Sequence, residues 1–234
     1  MKNKEIKFLD LGKMAYIQTW EKQEELLNQI VHMKKMKTGS DDKSEIATPN
    51  YLIFVEHPHV YTLGKSGDVQ NLLLNYLQLK ARDAEFFKTD RGGDITYHGP
   101  GQIVGYPILD LENFGIGLRH YIYSIEEIMI KAVESFGLTA SRDPKATGVW
   151  LDVGKPSARK IGAIGVKSSH FVTMHGFALN INTDLEYFQN INPCGFADKG
   201  VTSVEKELGF KQDFELAKTI VREKFAEILG ATII

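Results

Sequence analysis

The stretch from Arg91 to Gln102 constrains the fold of this chain more than any other part of it. It reads Arg-Gly-Gly-Asp-Ile-Thr-Tyr-His-Gly-Pro-Gly-Gln and holds four glycines and one proline. Because glycine lacks a Cβ, the backbone there can take a positive φ or approach a ligand closely. A loop that only turns needs two or three such residues. The stretch therefore favours a ligand cradle that leads into the apolar run Ile103–Leu109.

Taken alone, the same stretch is also compatible with a long surface loop rich in glycine and proline, since loops do most of the binding in proteins. It lacks the Lys-Ser/Thr ending of a nucleotide P-loop, and it lacks the spacing of a dinucleotide fingerprint. The predicted ligand site is thus of another kind.

Composition excludes several classes of protein. Hydrophobic residues make up 43% of the 234 residues, and the formal net charge of −2 argues against general nucleic-acid binding. The charged start of the chain is not followed by the apolar run of a secretory signal, and no stretch approaches the ~18 apolar residues of a membrane span. Cys194 is the only cysteine, so an intrachain disulfide is excluded and we expect a cytoplasmic location.

Hydrophobic periodicity predicts strands and helices without regular alternation. Apolar residues at three-and-four spacing predict helices from Met14 to about His32, from Leu118 to Phe136 and from Asp213 to about Leu229. The strand-like runs are Ile6–Leu11, Tyr51–Glu56, Phe86–Thr89, Ile103–Leu109, Gly148–Leu151, Lys160–Val166 and His170–Ile181. This mixture favours an α+β fold, a mixed β-sheet packed with helices, in a single domain over residues 1–234.

The segment Lys34–Pro49 is polar and of mixed charge. Such a composition buries little apolar surface, so we expect a mobile surface loop between the first helix and the next strand.

Cys194 lies between Pro193 and Gly195, which favour a tight bend, and Asn192 precedes them. A lone cysteine is more often a small buried hydrophobe than a nucleophile. Core cysteines lie within apolar runs, however, and this one does not. The surroundings therefore favour a thiol that projects from a loop, and they leave the packing role open.

Lys160 opens a run of small and apolar residues, Ile161 to Val166. The simpler interpretation is a lysine at a strand end with its ammonium group in water. A lysine beside small residues is also suited to a crevice, where its positive charge would lower the pKa of a nearby thiol.

His57 and His59 share one short segment, and a metal site with His98 is conceivable. No His-Glu-x-x-His motif and no combined set of histidines and cysteines supports it, so we expect no metal. A Gly-x-Ser-x-Gly elbow is also missing, which weakens the prediction of a serine hydrolase.

Four segments, in this order, resemble the motifs of the octanoyltransferases, the lipoyl(octanoyl) transferases of lipoate biosynthesis. They are Arg91–Gln102, Lys160–Gly165, His175–Asn180 and Asn192–Gly195. The resemblance covers the chain from about Tyr51 to Leu208. Gly162 stands where alanine is more usual, and Lys34–Pro49 is longer than the family needs; neither difference touches a reacting group.

The resemblance implies a fold similar to that of biotin and lipoate protein ligases, with an acyl tunnel. It implies an octanoyl thioester on acyl carrier protein as donor. It implies a lysine on a lipoyl domain of a 2-oxoacid dehydrogenase complex, or on the glycine cleavage H protein, as acceptor. The reaction then needs no ATP and no other cofactor, because transfer from a thioester to an amine runs downhill.

The resemblance also assigns roles to residues. Cys194 would be the nucleophile that carries the acyl group as a thioester, and Lys160 its activating partner. The octanoyl site would be formed by Arg91, Gly92, Gly93, Asp94, Ile95, Thr96, Tyr97, His98, Ala163, Ile164, Gly165, Gly176, Phe177 and Ala178. From their size, we expect Gly165, Gly176 and Ala178 to leave room for the chain. We further hypothesise that some of Arg142, Lys155, Arg159 and Lys167 steer the acidic carrier protein.

Two rival functions share parts of this pattern. A lipoate or biotin protein ligase would have the same fold but would activate a free acid with ATP, and it has no need of a nucleophilic thiol. A non-catalytic module that binds acyl groups or carrier protein would tolerate the loss of Cys194 and would never hold an acyl group covalently.

Overall fold

Three buried strands form the centre of the molecule in the computed structural model, which describes residues 3–38, 47–192 and 200–234. The strands are β1 (Glu5–Lys13), β2 (Tyr51–Glu56), β3 (Val60–Leu63), β4 (Glu85–Lys88), β5 (Ile95–His98), β6 (Gln102–Ile108), β7 (Ser141–Asp143), β8 (Ala146–Leu151), β9 (Arg159–Ser169), β10 (Val172–Asn180), β11 (Gly200–Val201) and β12 (Thr232–Ile233). The three central strands are β2, β6 and β10, and almost every residue in them is buried. Strands that are covered on both faces read as continuous apolar runs, which is why the sequence predicted them well.

The strands of the described chain form two separate sheets. The larger sheet has the order β12-β1-β2-β6-β10-β9-β8-β7, with β11 alongside β9, and the smaller has the order β4-β3-β5. Strand β1 runs parallel to β2 and β12, whereas β2, β6, β10, β9 and β8 pair antiparallel. The predicted mixed sheet and α+β class are therefore confirmed.

Helices cover both faces of the larger sheet. They are α1 (Tyr16–Thr38), α2 (Tyr76–Lys80), α3 (Leu111–Phe114), α4 (Leu118–Glu134), α5 (Val204–Leu208) and α6 (Phe214–Leu229), with 3-10 turns at Val69–Asn71 and Leu185–Asn190. Helices α4 and α6 pack on one face with a core that includes Ile125, Met129 and Phe225. Helix α1 packs on the other face through residues such as Leu27 and Ile30. No helix within the described ranges combines the length and the hydropathy that a membrane crossing requires.

The final helix begins and ends as its sequence predicts. The carboxylate of Asp213 accepts hydrogen bonds from the N–H groups of Glu215 and Leu216, both at 3.0 Å. Gly230 ends the helix in the left-handed conformation, with φ +57°. These are local signals, and local chemistry is sufficient to place them.

The first helix is longer than predicted. It runs to Thr38, so the prediction of a loop from Lys34 is wrong for residues 34–38. The physical reason is that the Lys34 ammonium group forms salt bridges with Asp110 and Glu112, which hold the polar end of the helix against α3. Residues 39–46 of the predicted loop lie outside the described part of the chain.

Strand β5 is a second difference, since the sequence predicted only a glycine-rich loop between Arg91 and Gln102. Residues Ile95 to His98 pair antiparallel with Val60 to Leu63 on β3. A four-residue strand bounded by glycines has too short a pattern to be recognised, and its partner lies more than thirty positions earlier in the chain.

Gly176 gives a test of how the central strands meet. A Cβ at this position would lie 2.1 Å from the Gly105 carbonyl oxygen on β6 and 2.6 Å from Pro107 Cδ. We expect Gly176→Ala to lower the free energy of unfolding by about 3 kcal/mol, because the clash is with backbone that cannot move aside. Urea denaturation measures this loss.

Gly117→Ala is the matched control, since nothing lies within 4 Å of the added methyl group. Its effect should be much smaller. Equal losses in the two variants would show that the close approach of β10 and β6 is not what requires glycine.

Candidate active site

A cavity of about 840 Å³ lies between the larger and the smaller sheet. Its walls come from the glycine-rich stretch and β5 on one side and from β6, β9 and β10 on the other. Further wall residues come from the segment 185–192. At one end the lining residues Glu186, Gln189, Asn192 and Lys206 are exposed, so the cavity opens there.

Most residues expected to form the octanoyl site line this cavity. They are Arg91, Gly93, Asp94, Ile95, Thr96, His98, Ala163, Ile164, Gly165, Gly176, Phe177 and Ala178. Three segments that are far apart in sequence thus form the cavity wall together. The reason is that β9 and β10 pair with each other and the glycine-rich stretch lies over them.

Gly92 and Tyr97 lie elsewhere. The Gly92 N–H donates to the Val166 carbonyl at 2.9 Å, which attaches the glycine-rich stretch to β9. The ring of Tyr97 packs between Tyr61, Tyr187 and Phe188 on the opposite face of β5. Both residues therefore support the cavity wall without lining the cavity.

Arg91 holds the glycine-rich stretch in shape. Its Nη2 donates to the Thr62 carbonyl at 2.7 Å and to the Asp94 carbonyl at 2.8 Å, and its Nη1 donates to the Gly92 carbonyl at 3.0 Å. No acidic side chain of the described ranges forms a salt bridge with this guanidinium group, which is only 7% exposed. Burial lowers the pKa of Arg91. The charge is held by backbone carbonyls, which fixes the path of the stretch around it.

Gly165 and Gly176 both lie where an added Cβ would meet other parts of the chain. A Cβ on Gly165 would lie 3.0 Å from Arg91 Cδ and from the Gly92 carbonyl oxygen. A Cβ on Gly176 would meet β6. Both residues line the cavity, and the close approach of neighbouring chain segments by itself requires glycine there. The expectation that they also leave room for an acyl chain stays a prediction.

Lys160 lies at the open end of the cavity, at the beginning of β9. Its ammonium group donates to the Thr147 carbonyl at 3.2 Å and lies 4.6 Å from the centre of the Trp150 ring. The described chain leaves the cavity wall at Asn192 and rejoins it at Gly200, which pairs with Arg159 beside Lys160. Cys194 lies outside the described residues, so its predicted pairing with Lys160 remains a prediction.

The histidines considered for a metal site have other partners. His57 contacts the Met14 carbonyl oxygen and the Tyr106 hydroxyl, each at 2.8 Å, and Nδ1 of His98 lies 2.8 Å from the amide oxygen of Gln102. Burial lowers the pKa of His57 to about 4 and that of His98 to about 3, so both are neutral at pH 7. No group of three potential ligands clusters within the parts of the chain that the structure describes.

A second polar group at the buried end of the cavity was not assigned a role from the sequence. His175 Nε2 lies 2.8 Å from the Asp90 carboxylate, which also forms a salt bridge with Lys167. Burial lowers the pKa of His175 despite this carboxylate. His175 has φ +58°, a conformation that side-chain-bearing residues rarely adopt and that concentrates at functional sites. In the sequence, the feature that could have indicated this pair was Asp90, the acidic residue directly before Arg91.

The four basic residues considered for steering are all paired. Arg142 forms salt bridges with Glu126 and Glu127. Lys155 and Arg159 share Asp152, Arg159 also binds Glu207, and Lys167 binds Asp90. Their charges are neutralised locally, which weakens the hypothesis that they attract a carrier protein.

Comparison with known proteins places these features in a family. Residues 16–226 match the family described as the lipoyl protein ligase A/B catalytic domain. An octanoyltransferase of Flavobacterium johnsoniae is 55% identical over 233 residues, which is 99% of this chain and all of that protein. An octanoyltransferase of Bacteroides fragilis is 52% identical over 93% of this chain and 95% of its own length.

Solved structures show the same fold at low identity. A putative lipoate protein ligase from T. acidophilum with bound lipoic acid superimposes with a TM-score of 0.68, at 13% identity, over 98% of this chain and 88% of that one. A lipoate-protein ligase A bound with ATP gives a TM-score of 0.67 at 13% identity, over 100% and 88%. The expected ligase-like fold is confirmed.

The ion pairs of Arg159 with Asp152 and Glu207 predict that its contribution to stability depends on pH. Its guanidinium group holds the pKa of Asp152 at about 2 and that of Glu207 below its usual value. Carboxylates with depressed pKa values stabilise the fold above their unfolded pKa of about 4 and lose that contribution as the pH falls towards the folded pKa. The stability gap between wild type and Arg159→Met should therefore be full above about pH 5 and shrink towards pH 3.

Thermal melts between pH 7 and pH 3 measure the gap, with exposed Lys145→Met as the control. A gap that stays constant across this range would contradict the assignment of the two carboxylates to Arg159.

Proposed function

The chain belongs to the octanoyltransferases of the lipoyl protein ligase A/B catalytic domain family, and from this membership we propose that it moves an octanoyl group from acyl carrier protein to a lysine of a lipoyl domain. As a member of this family the chain is an acyltransferase. The observation that carries the finer proposal is one cavity that unites the glycine-rich stretch, β9 and β10, with Lys160 at its open end.

Cys194 is the proposed nucleophile. Its thiolate attacks the carbonyl carbon of the octanoyl thioester, and the bond from that carbon to the carrier's sulfur breaks. The carrier's sulfur takes up the proton that Cys194 gave up and leaves as a thiol, so that the acyl group is held as a thioester on the enzyme. The amine of the acceptor lysine then attacks the same carbon. An amide forms, the Cys194 thiolate leaves, and the amine loses a proton. One thioester replaces another in the first step and an amide replaces a thioester in the second, so the sequence runs downhill without ATP.

Lys160 is the proposed activating residue. A positive charge near a thiol lowers its pKa and increases the fraction of thiolate. In the second step the lysine in its neutral form is suited to accept the proton from the incoming amine. The contacts with the Thr147 carbonyl and the Trp150 ring restrain the side chain at the cavity opening, which supports this role.

The octanoyl chain is proposed to lie along β9 and β10. Ala163 and Ala178, which pair across β9 and β10, line the cavity and offer apolar atoms to the chain. A buried methylene contributes about 0.8 kcal/mol, so a chain of this length gains several kcal/mol of binding. Backbone N–H groups of the glycine-rich stretch are the proposed donors to the oxyanion of the tetrahedral intermediate.

The proposed partners follow from the reaction. The donor is octanoyl-acyl carrier protein, and the acceptors are lipoyl domains of 2-oxoacid dehydrogenase complexes and the glycine cleavage H protein. We place the reaction in the cytoplasm, where a lone catalytic cysteine stays reduced.

Mass spectrometry of the intact protein tests the covalent route. Wild type and Cys194→Ser are mixed with octanoyl-acyl carrier protein without ATP. We expect an added octanoyl mass on wild type that a lipoyl domain removes, and no labile adduct on the variant. If neither protein gains mass and the acceptor stays unmodified, the route is wrong, and ATP-dependent transfer from free octanoate becomes the reaction to assay.

Lys160→Met tests the activating residue. We expect the rate of octanoyl transfer to the lipoyl domain at pH 7 to fall by about 10²-fold or more, because the thiolate of the first step and the proton acceptor of the second are both affected. The rate should recover in part at higher pH, where the thiol ionises without help. Lys145→Met is the control, since Lys145 is exposed on the turn before β8. A rate equal to that of the control would remove Lys160 from the mechanism.

A further inference from the structure

Gln102 and Asn180 are buried polar residues of the cavity wall for which the sequence indicated no role. They are the last residues of two of the ordered segments, Arg91–Gln102 and His175–Asn180. Both line the cavity, only 1% and 5% exposed, and they pair with each other across β6 and β10. Buried polar groups in native proteins are almost always hydrogen-bonded, so the partners of these two amides show what the pair holds in place.

Two backbone carbonyls fix the orientation of both amide groups, because a carbonyl oxygen only accepts. Asn180 Nδ2 donates to the Thr202 carbonyl at 2.9 Å, and Gln102 Nε2 donates to the Tyr97 carbonyl at 3.2 Å. The Asn180 Oδ1 accepts from Gln102 Nε2 at 2.8 Å. Gln102 Oε1 then accepts from Nδ1 of His98 at 2.8 Å. The hydrogen bonds from the imidazole to Thr202 thus form one chain in which every donor points the same way.

The end of this chain lies beside Lys160. The Thr202 N–H donates to the Lys160 carbonyl at 2.9 Å, and Val201, the residue before it, pairs with Lys160 on β9. The pairing of β10 with β9 ends at Gly162. Strand β11 therefore takes the place of β10 beside the first residues of β9, and Asn180, the last residue of β10, joins the two strands.

The beginning of β9 depends on this junction. Lys160 is the second residue of β9, and Trp150 on β8 pairs with it from the other side. Strand β11 has only two residues, so its own backbone pairing is short. A second anchor of Thr202 is its hydroxyl group, which donates to the Glu207 carboxylate. Strand ends with few hydrogen bonds open most easily, so the side-chain bond to the Thr202 carbonyl matters for how firmly Lys160 is held.

We propose that Asn180 is a positioning residue for transfer: by binding the Thr202 carbonyl it holds β11 against the beginning of β9, and this keeps the Lys160 ammonium group at the cavity opening. The proposal rests on the proposed function for the part that Lys160 plays in transfer. Gln102 orients the Asn180 amide, because an amide turned by 180° would present its oxygen to the Thr202 carbonyl and lose the bond. His98 orients Gln102 in the same way.

Hydrogen exchange measured by NMR tests the junction without reference to activity. Asn180→Leu removes both hydrogen bonds of the side chain while keeping a similar size and adding no charge. We expect the Thr202 amide to exchange at least tenfold faster than in wild type, because its strand opens more often. Asn182→Leu is the matched control, since Asn182 donates in the same way to the Gln212 carbonyl at 2.9 Å and lies outside the cavity wall. In the control the Thr202 amide should exchange at the wild-type rate.

Equal exchange rates of the Thr202 amide in wild type and Asn180→Leu, or equal acceleration in the two variants, would overturn the proposal. Should Asn180→Leu fail to fold, Asn180→Asp is measured in its place. This variant keeps the acceptor for Gln102 and loses only the donor to Thr202, and the same tenfold acceleration is expected.

Steady-state kinetics test whether Asn180 acts through Lys160. We expect Asn180→Leu to lower kcat for transfer at least tenfold at pH 7, with KM for octanoyl-acyl carrier protein changed less than threefold. The rise of kcat with pH should move to higher pH, as for Lys160→Met, because the thiol loses its activating charge. In the Lys160→Met background the same change should lower kcat less than threefold, since the effects of residues that act as a unit are not additive.

A pH profile that keeps its wild-type position, or the full effect of Asn180→Leu in the Lys160→Met background, would show that Asn180 supports only the fold and would overturn the positioning role. Failure of wild type to transfer octanoyl groups would instead reject the proposed function. The hydrogen-exchange measurement would then still decide whether Asn180 holds Thr202 beside Lys160.

Discussion

The buried guanidinium group of Arg91 is the interaction on which the cavity depends. A charged side chain removed from water is costly unless its N–H groups are matched, and here they are matched by carbonyl oxygens of Thr62, Gly92 and Asp94. These carbonyls belong to β3 and to the glycine-rich stretch, so Arg91 joins the smaller sheet to that stretch. Gly64 and Gly165 leave space for the group, because a Cβ on either would lie within about 3 Å of it.

The cavity is polar at both ends for different reasons. At the open end the ammonium group of Lys160 is restrained by a carbonyl oxygen and an aromatic ring. At the buried end Asp90 holds His175, and burial keeps the imidazole neutral, so that end is suited to neutral hydrogen-bonding groups. Between the ends lie the small and apolar residues of β9 and β10.

Local patterns in the sequence predicted the central strands, helix α4 and helix α6 with its caps, because each is specified by residues close together in the chain. The same patterns did not predict β5, and they predicted an end of α1 that lies too early in the chain. Strand β5 exists through pairing with β3, and the end of α1 is held by Lys34 against Asp110, contacts between residues distant in sequence.

The sequence by itself determined the α+β class, which follows from periodicity, and the residue types available for chemistry. It also carried the four ordered segments through which the chain resembles a known family. Tertiary structure decided what each motif residue touches. It turned Tyr97 away from the cavity and brought Asp90 to His175 across 85 positions of the chain. It also showed that Gly165 and Gly176 lie where neighbouring chain segments approach too closely for a Cβ. The reason is that strand pairing and burial set contacts between residues far apart in sequence, and no local pattern encodes which surface a strand will meet.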